Sequence, residues 1–135
     1  MSTYSEIQTI KDAKLFLRKN VYGDTINLFL TELCKVIPVE SYEAASDSAH
    51  HIRLYLKKDS SNSMEKIRPL VDVAFCNYLR SQYVCERIRE NRDNLDIEVI
   101  KLIHRLQTQY IHIGYFNTVI FCNDQPDYDH VLIQI

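Results

Sequence analysis

Apolar residues recur at intervals of three and four over the first 37 positions of the chain, which is the spacing of one helix face. The first stripe consists of Ile7, Ile10, Ala13 and Leu17, and the second of Ile26, Phe29, Leu30, Leu33 and Ile37. The first stripe predicts a helix that opens with a capping-box pattern and ends near Asn20. Gly23 then interrupts the pattern. Asp24 is a suitable N-cap for the second predicted helix, which Pro38 ends.

The middle of the chain continues the helical spacing. The next stripe consists of Ala45, Ala49, Ile52 and Leu56. It predicts a third helix that begins near Ser41 or Ser46 and ends at residues 57–58. The small polar residues of segment 59–63 predict an exposed loop, because their side chains bond the local backbone. A fourth helix is predicted from the end of this loop to about Asn91.

The fourth and fifth predicted helices differ in how their apolar residues are distributed. Pro69 predicts either a kink in the fourth helix or its true start. Apolar groups occupy nearly every face over 70–79, which predicts a central core helix, whereas the charged half, 80–92, is expected to face solvent or a partner. Asp96 and Glu98 open the fifth helix. Its inward stripe consists of Val99, Leu102, Ile103, Leu106 and Tyr110.

The residues after Gly114 have strand character. Two runs of β-branched and aromatic residues, 118–122 and 130–135, flank a group of turn formers and predict an antiparallel hairpin. Gly114 is predicted to adopt φ > 0 and to be the hinge before this hairpin. The predicted fold is mainly α (α+β). It has about five helices in a compact bundle over 1–114 and a C-terminal β-hairpin over 115–135, which packs on the bundle or pairs with a partner.

Composition narrows the possible functions. With 135 residues, 46% hydrophobic and 25% charged, the chain is expected to form one globular domain. Its two glycines exclude glycine-rich phosphate loops and sharp nucleophile turns. The four cysteines form no Cys-x-x-Cys pair, and the amino terminus lacks an export-signal pattern. We therefore expect reduced thiols, no membrane span, and an intracellular location that is cytoplasmic or nuclear.

Three groups of residues have catalytic or metal-binding side chains. They are Asp47 with His50 and His51, Asp127 with Asp129 and His130, and the thiols Cys76 and Cys85. On a helix the first group supplies two ligands, fewer than a zinc site needs. The second lies in a predicted turn, and the thiols lie on a predicted core helix. The sequence therefore favours a protein with no catalytic residues, no metal and no cofactor. A small metal- or thiol-dependent enzyme that also uses His104 stays an alternative.

Cations are concentrated on the outer half of the fourth predicted helix and continue on the fifth. They are Arg80, Arg87, Arg89, Arg92, Lys101 and Arg105. Such a stripe could bind phosphates. Glu86, Glu90 and Asp93 lie in the same turns, and the net charge is −2, so the pattern favours a solvated face or an interface for an acidic protein. Nucleic-acid binding through the Arg80–Arg105 stripe is the second hypothesis.

The expected function is a non-catalytic protein–protein interaction module or a small subunit of a larger intracellular complex. Tyrosines and apolar strand residues are typical of contact surfaces. The predicted partner-binding residues are Arg80, Tyr83, Arg87, Arg89, Tyr115, Phe116, Tyr128, Val131, Ile133 and Ile135. In its most specific form, the hypothesis is that segment 131–135 adds an edge strand to the sheet of a partner or of a second copy. An apolar run that stops at Ile135 is also expected of a fragment of a longer protein.

Overall fold

A computed structural model describes residues 6–45, 51–108 and 118–134. The helices in this part of the chain are α1 (Glu6–Asn20), α2 (Tyr22–Val36), α3 (Met64–Leu79), α4 (Gln82–Glu90) and α5 (Ile97–Thr108), with a 3₁₀ turn at Arg92–Asn94. The strands are β1 (Val39–Ala45), β2 (His51–Lys57), β3 (Thr118–Cys122) and β4 (Tyr128–Gln134). They form one antiparallel sheet in the order β1-β2-β4-β3. The fold is therefore mixed α+β.

Helices α2 and α3 pack side by side at the centre of the core. Phe29 of α2 contacts Phe75 and Tyr78 of α3, with ring centroids 5.6 and 5.4 Å apart. Tyr22 at the start of α2 lies 6.3 Å from Tyr78. All four rings are buried, as is the whole apolar stripe predicted for the second helix. None of the helices in the described ranges is long and apolar enough to cross a membrane.

The prediction of a third helix is wrong, because β1 and β2 occupy that segment. Along β2, Ile52, Leu54 and Leu56 are buried, and the residues between them lie on the other face. Ile52 and Leu56 are four residues apart, so they fit a helical stripe as well as a strand of period two. The strand conformation depends on β4, which pairs with β2 along its whole length and lies far away in sequence.

The two carboxy-terminal strands were predicted as a hairpin that packs on the helices or pairs with a partner, and the structure corrects this. Strands β3 and β4 do pair with each other, but β4 also pairs with β2, so the hairpin is half of a four-stranded sheet. The hypothesis that segment 131–135 adds an edge strand is therefore wrong for its described residues. Both sides of β4 are already hydrogen-bonded, and Val131 and Ile133 are fully buried. The two edges of the sheet are β1 and β3.

Gly23 does not have its predicted separating role. Helix α2 begins at Tyr22, so Gly23 lies inside its first turn and does not divide the first two helices. The two helices are instead separated by Val21 alone. The hinge predicted at Gly114 lies outside the described residues.

The fourth predicted helix is divided into α3 and α4. The break falls at Arg80 and Ser81, where the Ser81 backbone is extended. Helix α3 begins after Ser63, whose hydroxyl accepts a hydrogen bond from the Lys66 amide at 3.2 Å, as expected of an N-cap. Pro69 lies inside α3, so it does not mark the start of the helix.

A buried hydrogen bond between Thr25 and Tyr78 joins α2 to α3. The Thr25 hydroxyl donates to the Val21 carbonyl oxygen at 2.6 Å, so its proton is already used and the Tyr78 hydroxyl must be the donor to Thr25. Burial raises the pKa of Tyr78, which keeps this hydroxyl protonated. The bond therefore runs from the Tyr78 hydroxyl to the Thr25 oxygen. Tyr78 depends on Thr25 for its acceptor, whereas Thr25 also has its own bond to Val21.

Removing Thr25 and removing Tyr78 from this bond are therefore expected to lower the free energy of unfolding by different amounts. Thr25→Val leaves the Tyr78 hydroxyl buried without an acceptor, which should lower the free energy of unfolding by about 1–3 kcal/mol. Tyr78→Phe leaves Thr25 bonded to Val21 and should cost only about 0.5–1.5 kcal/mol. Urea unfolding of the two variants measures the difference, and the double variant should recover part of the Thr25→Val loss. A larger cost for Tyr78→Phe would contradict the assigned direction.

Candidate interaction site

A groove of about 570 Å³ opens between α4, the 3₁₀ turn and α5. Its lining residues are Cys85, Ile88, Arg89, Arg92, Ile97, Ile100, Lys101, Ile103, His104 and Gln107. Ile97 leaves 56% of its surface exposed, and Ile88 and Ile100 are half-buried. Clustered apolar side chains that solvent can reach are typical of a binding surface. We call Ile88, Ile97 and Ile100, which solvent can reach, the isoleucine floor of the groove.

Gln107 on α5 holds α4 in place beside this groove. Its side-chain Nε2 donates to the Leu79 carbonyl oxygen at the end of α3 at 2.9 Å, and lies 3.5 Å from the sulfur of Cys85. The Cys85 thiol donates to the same carbonyl at 3.5 Å, and the Cys76 thiol donates to the Gln107 carbonyl oxygen at 3.3 Å. The break between α3 and α4 is thus tied to α5, which keeps the two walls of the groove together.

Positive charge surrounds the isoleucine floor. Arg89, Arg92 and Lys101 line the groove and are exposed, as is His104. No carboxylate lines the groove among the residues that the structure describes. Glu98 lies 3.5 Å from Lys101, but both side chains are well exposed, at 42% and 64%. An exposed pair of this kind contributes little energy, so Lys101 can still bind a partner's carboxylate.

The cations predicted as one stripe have different environments in the structure. Arg89 lies at the groove. Arg87 instead contacts Tyr83 one turn earlier on α4: its Nη2 donates to the tyrosine hydroxyl at 2.9 Å, and its guanidinium carbon lies 5.3 Å from the ring centroid. Tyr83 remains 45% exposed. Arg80 follows the end of α3 and Arg105 lies on α5, and both are exposed.

The remaining predicted partner-binding residues belong to the carboxy-terminal part of the chain. Tyr128 is half-buried on the face of the sheet that points away from the helices. Val131 and Ile133 point the opposite way, into the core, and are not accessible to a partner in this structure. Three further predicted residues lie outside the described ranges, namely Tyr115, Phe116 and Ile135.

The carboxylate and imidazole groups considered for catalysis form no common cluster among the residues that the structure describes. His51 is the first residue of β2, so the helical spacing assumed for it and Asp47 does not apply, and Asp47 itself lies outside the described residues, as does His50. Asp129 and His130 are neighbours on β4 and therefore point to opposite faces of the sheet. Within the described ranges, no group of three or more His, Cys, Asp or Glu side chains is placed to hold a metal ion.

The two thiols have structural contacts. Cys76 is buried, and burial raises the pKa of its thiol, which is the opposite of what a reactive thiolate needs. Cys85 is partly buried against Leu79 and Gln107, as described above. Both thiols therefore contribute hydrogen bonds at the junction of α3, α4 and α5.

Sequence reasoning missed the apolar floor of the groove. Ile97 and Ile100 were not part of the inward stripe predicted for the fifth helix, and Ile88 was overlooked among charged residues of the fourth. A signal was present, because α5 carries more apolar residues than one buried stripe needs. Ile97 and Ile100 are three residues apart and form a second stripe beside the first.

Comparison with known proteins adds no family to these observations. No protein-family model matches the chain, and no curated protein or solved structure matches it.

Proposed function

We propose that this chain is a non-catalytic protein–protein interaction module or a small subunit of a larger intracellular complex. Its α4–α5 groove receives an amphipathic helix with acidic flanks from a partner protein. One observation carries the proposal: the groove combines an exposed isoleucine floor with Arg89, Arg92 and Lys101 around it.

An amphipathic helix fits both properties of this groove. Such a helix places large apolar side chains three and four residues apart, and these anchors occupy apolar grooves on partner proteins. Acidic residues on its flanks would meet the three cations at the groove. Complementary charge contributes mainly to partner choice and to the rate of association. The isoleucine floor would then supply most of the affinity.

The groove favours a protein partner over nucleic acid. Phosphate contacts supply most non-specific nucleic-acid affinity, and an isoleucine floor makes no such contact. Glu86, Glu90 and Asp93 are exposed on or next to α4 but do not line the groove. They would repel a long phosphate backbone that runs beyond the groove more than the short acidic flanks of one helix. The enzyme alternative has less support, because Asp129 and His130, two adjacent candidates on β4, point to opposite faces of the sheet.

Fluorescence anisotropy with a labelled peptide tests the groove. The peptide is a designed helix with leucines along one face and glutamates on the other, and a second peptide replaces every glutamate with lysine. We expect the acidic peptide to bind and the basic peptide to bind at least roughly tenfold more weakly, because like charges oppose each other across an interface. If neither peptide binds, or if both bind equally well, the proposed partner chemistry is wrong.

Two exposed isoleucines provide a matched pair of variants. Ile97 and Ile7 are 56% and 70% exposed on helices, but only Ile97 lines the groove. Ile97→Asp should weaken binding of the acidic peptide about tenfold or more, or 1.4 kcal/mol. Ile7→Asp should leave binding unchanged. Aspartate suits the first turn of a helix, so Ile97→Asp is not expected to destabilise α5. An equal loss in both variants would locate binding elsewhere.

A further inference from the structure

The face of the sheet that points away from the helices carries ordered rows of side chains. Read from β2 through β4 to β3, the rows are Lys57–Tyr128, Tyr55–His130–Cys122 and Arg53–Leu132–Ile120. The alternate residues of β2 and β4 are buried on the other face, against the helices. We call these three rows the open face. It is a second surface, made of different residues from those of the groove.

Three rings lie together at the centre of the open face. The centroids of Tyr55 and Tyr128 are 5.4 Å apart, and those of Tyr128 and His130 are 5.7 Å apart. Tyr55 and His130, which pair directly across β2 and β4, have centroids 6.3 Å apart. Each ring is half-buried, so each keeps part of its surface open to solvent. Mutual contact limits the rotamers of the rings and preorganises the cluster.

Cations flank this cluster along β2. Arg53 and Lys57 lie two residues on either side of Tyr55, so all three share one face, and both cations are exposed. The strand spacing separates each cation from Tyr55 by about 6.6 Å along the backbone. Glu43 on β1 pairs with Arg53 and reduces the positive potential at that end, whereas the cross-strand neighbour of Lys57 on β4 is Tyr128.

We propose that the open face binds single-stranded nucleic acid. Bases stack on the cluster of Tyr55, Tyr128 and His130, and the phosphates between them contact Arg53 and Lys57. Exposed aromatic rings on a sheet, interleaved with cations, are the arrangement with which proteins bind unpaired bases. A duplex is a poor ligand for this surface because its bases are already stacked and paired. This inference is independent of the function proposed for the groove.

Anisotropy of a fluorescein-labelled oligonucleotide tests this inference on the whole chain. The probes are oligo(U) and oligo(dT) of about 12 nucleotides, which is within the usual site size of single-strand binders. Both are measured at low salt and over a salt series, beside a duplex of the same length. We expect single strands to bind with an affinity that falls as salt rises, and the duplex to bind at least about tenfold more weakly. Binding of either single strand supports the inference, and no binding of either at low salt overturns it.

Variants of the tyrosines separate stacking from charge. Tyr55→Ala should weaken single-strand binding about five- to hundredfold, whereas Tyr55→Phe keeps the ring and should stay within about twofold of the wild type. Tyr83→Ala is the matched control, because Tyr83 is an exposed tyrosine on α4 and is not part of the sheet. Equal losses for Tyr55→Ala and Tyr83→Ala would overturn the inference.

Two charge variants provide a test on exposed side chains, which are not expected to affect folding. Lys57→Gln should weaken binding and reduce the slope of log affinity against log salt by about 0.7, the value for one phosphate contact on a single strand. Glu43→Gln should strengthen binding, because it removes the carboxylate opposite Arg53. If neither variant changes binding, or if Tyr55→Ala affects only the acidic peptide, the open face is not a nucleic-acid surface.

Discussion

Replacing Phe29 with alanine is expected to lower the free energy of unfolding by about 3–5 kcal/mol. Phe29 has no exposed surface, and its ring contacts Phe75 and Tyr78 at centroid distances of 5.6 and 5.4 Å. The variant loses the transfer free energy of the ring, its aromatic contacts and the packing around the cavity that is left. Domains of this kind are stable by only about 5–15 kcal/mol, so the loss is a large part of the total.

Thermal and urea unfolding measure this effect, and Leu28→Ala is the control. Leu28 is the adjacent residue on α2 and is 39% exposed, so its replacement makes a comparable change in helix propensity without a core cavity. We expect the midpoint temperature of Phe29→Ala to fall by roughly 10–20 °C. Leu28→Ala should cost at most about 1 kcal/mol. Similar losses in both variants would show that the α2–α3 contact is not the centre of the core.

The second large effect is expected at Asp129, which ties the sheet to the loop between β2 and α3. Asp129 is 1% exposed. Its Oδ2 accepts hydrogen bonds from Asn62 Nδ2 at 2.9 Å and from the Asp59 amide at 3.2 Å, and its Oδ1 lies 3.0 Å from Lys58 Nζ. Three residues of the loop therefore bind this carboxylate. The hydrogen bond from Asn62, above all, holds the pKa of Asp129 below its ordinary value, against the opposing effect of burial.

Asp129→Ala is expected to lower the free energy of unfolding by about 2–4 kcal/mol, because it removes two hydrogen bonds to a charged acceptor and an ion pair at once. The depressed pKa also gives the stabilisation a pH dependence with a definite sign. It is complete above the unfolded-state pKa of about 3.9, and it is lost as the pH falls from there through the lower folded-state pKa. The advantage of the wild type over Asp129→Asn should therefore shrink as the pH is lowered to about 3.

Urea unfolding of the wild type and of Asp129→Asn at neutral and acid pH measures this difference directly, since contributions common to both proteins cancel. Asp127→Asn is the matched control: Asp127 lies two residues earlier, is exposed, and should change stability by no more than about 0.5 kcal/mol. An advantage for the wild type that is the same at both pH values would mean that the charge of Asp129 does not stabilise the fold.

Much of the helical structure was predictable because its signals are local. The stripe from Ile26 to Ile37 was predicted from spacing alone, and all of its residues are buried along α2 and at its C-cap. The strand character of 118–122 was equally clear from its β-branched and aromatic residues, and β3 lies there. In both cases the residues that determine the conformation lie within a short window of sequence. The propensity and periodicity of that window agree with the final structure.

The prediction of a third helix was wrong because the conformation of this segment depends on a distant part of the chain. Ile52 and Leu56 satisfy the helical and the strand period alike, and only the alternation that includes Leu54 separates the two. What stabilises β2 as a strand is its pairing with β4, from Ile52 with Ile133 to Lys57 with Tyr128. Single-sequence reasoning does not detect a partner this far along the chain. Because its pairing with β2 was not predicted, β4 was also predicted to be a free edge strand.

The candidate groove could not be predicted from the sequence, because it forms only where the helix breaks between α3 and α4. With one continuous fourth helix, Arg80 through Arg92 form a charged extension that points away from the domain. In the structure, the break at Arg80 and Ser81 and the hydrogen bond from Gln107 to Leu79 bring α4 beside α5. Arg89 and Lys101, which belong to the predicted stripe of cations, then lie beside isoleucines that are part of no predicted surface.

From the order of its amino acids alone, this protein has helical stripes over its first 37 residues, a strand-forming end and too few glycines for a phosphate loop. These features follow from side-chain shape and from spacing within a few turns of the backbone. Only the tertiary structure decided that β4 is an interior strand, that Tyr55, Tyr128 and His130 share one face, and that a groove separates α4 from α5. These depend on contacts between distant segments, whose free energy is gained only when the whole core assembles.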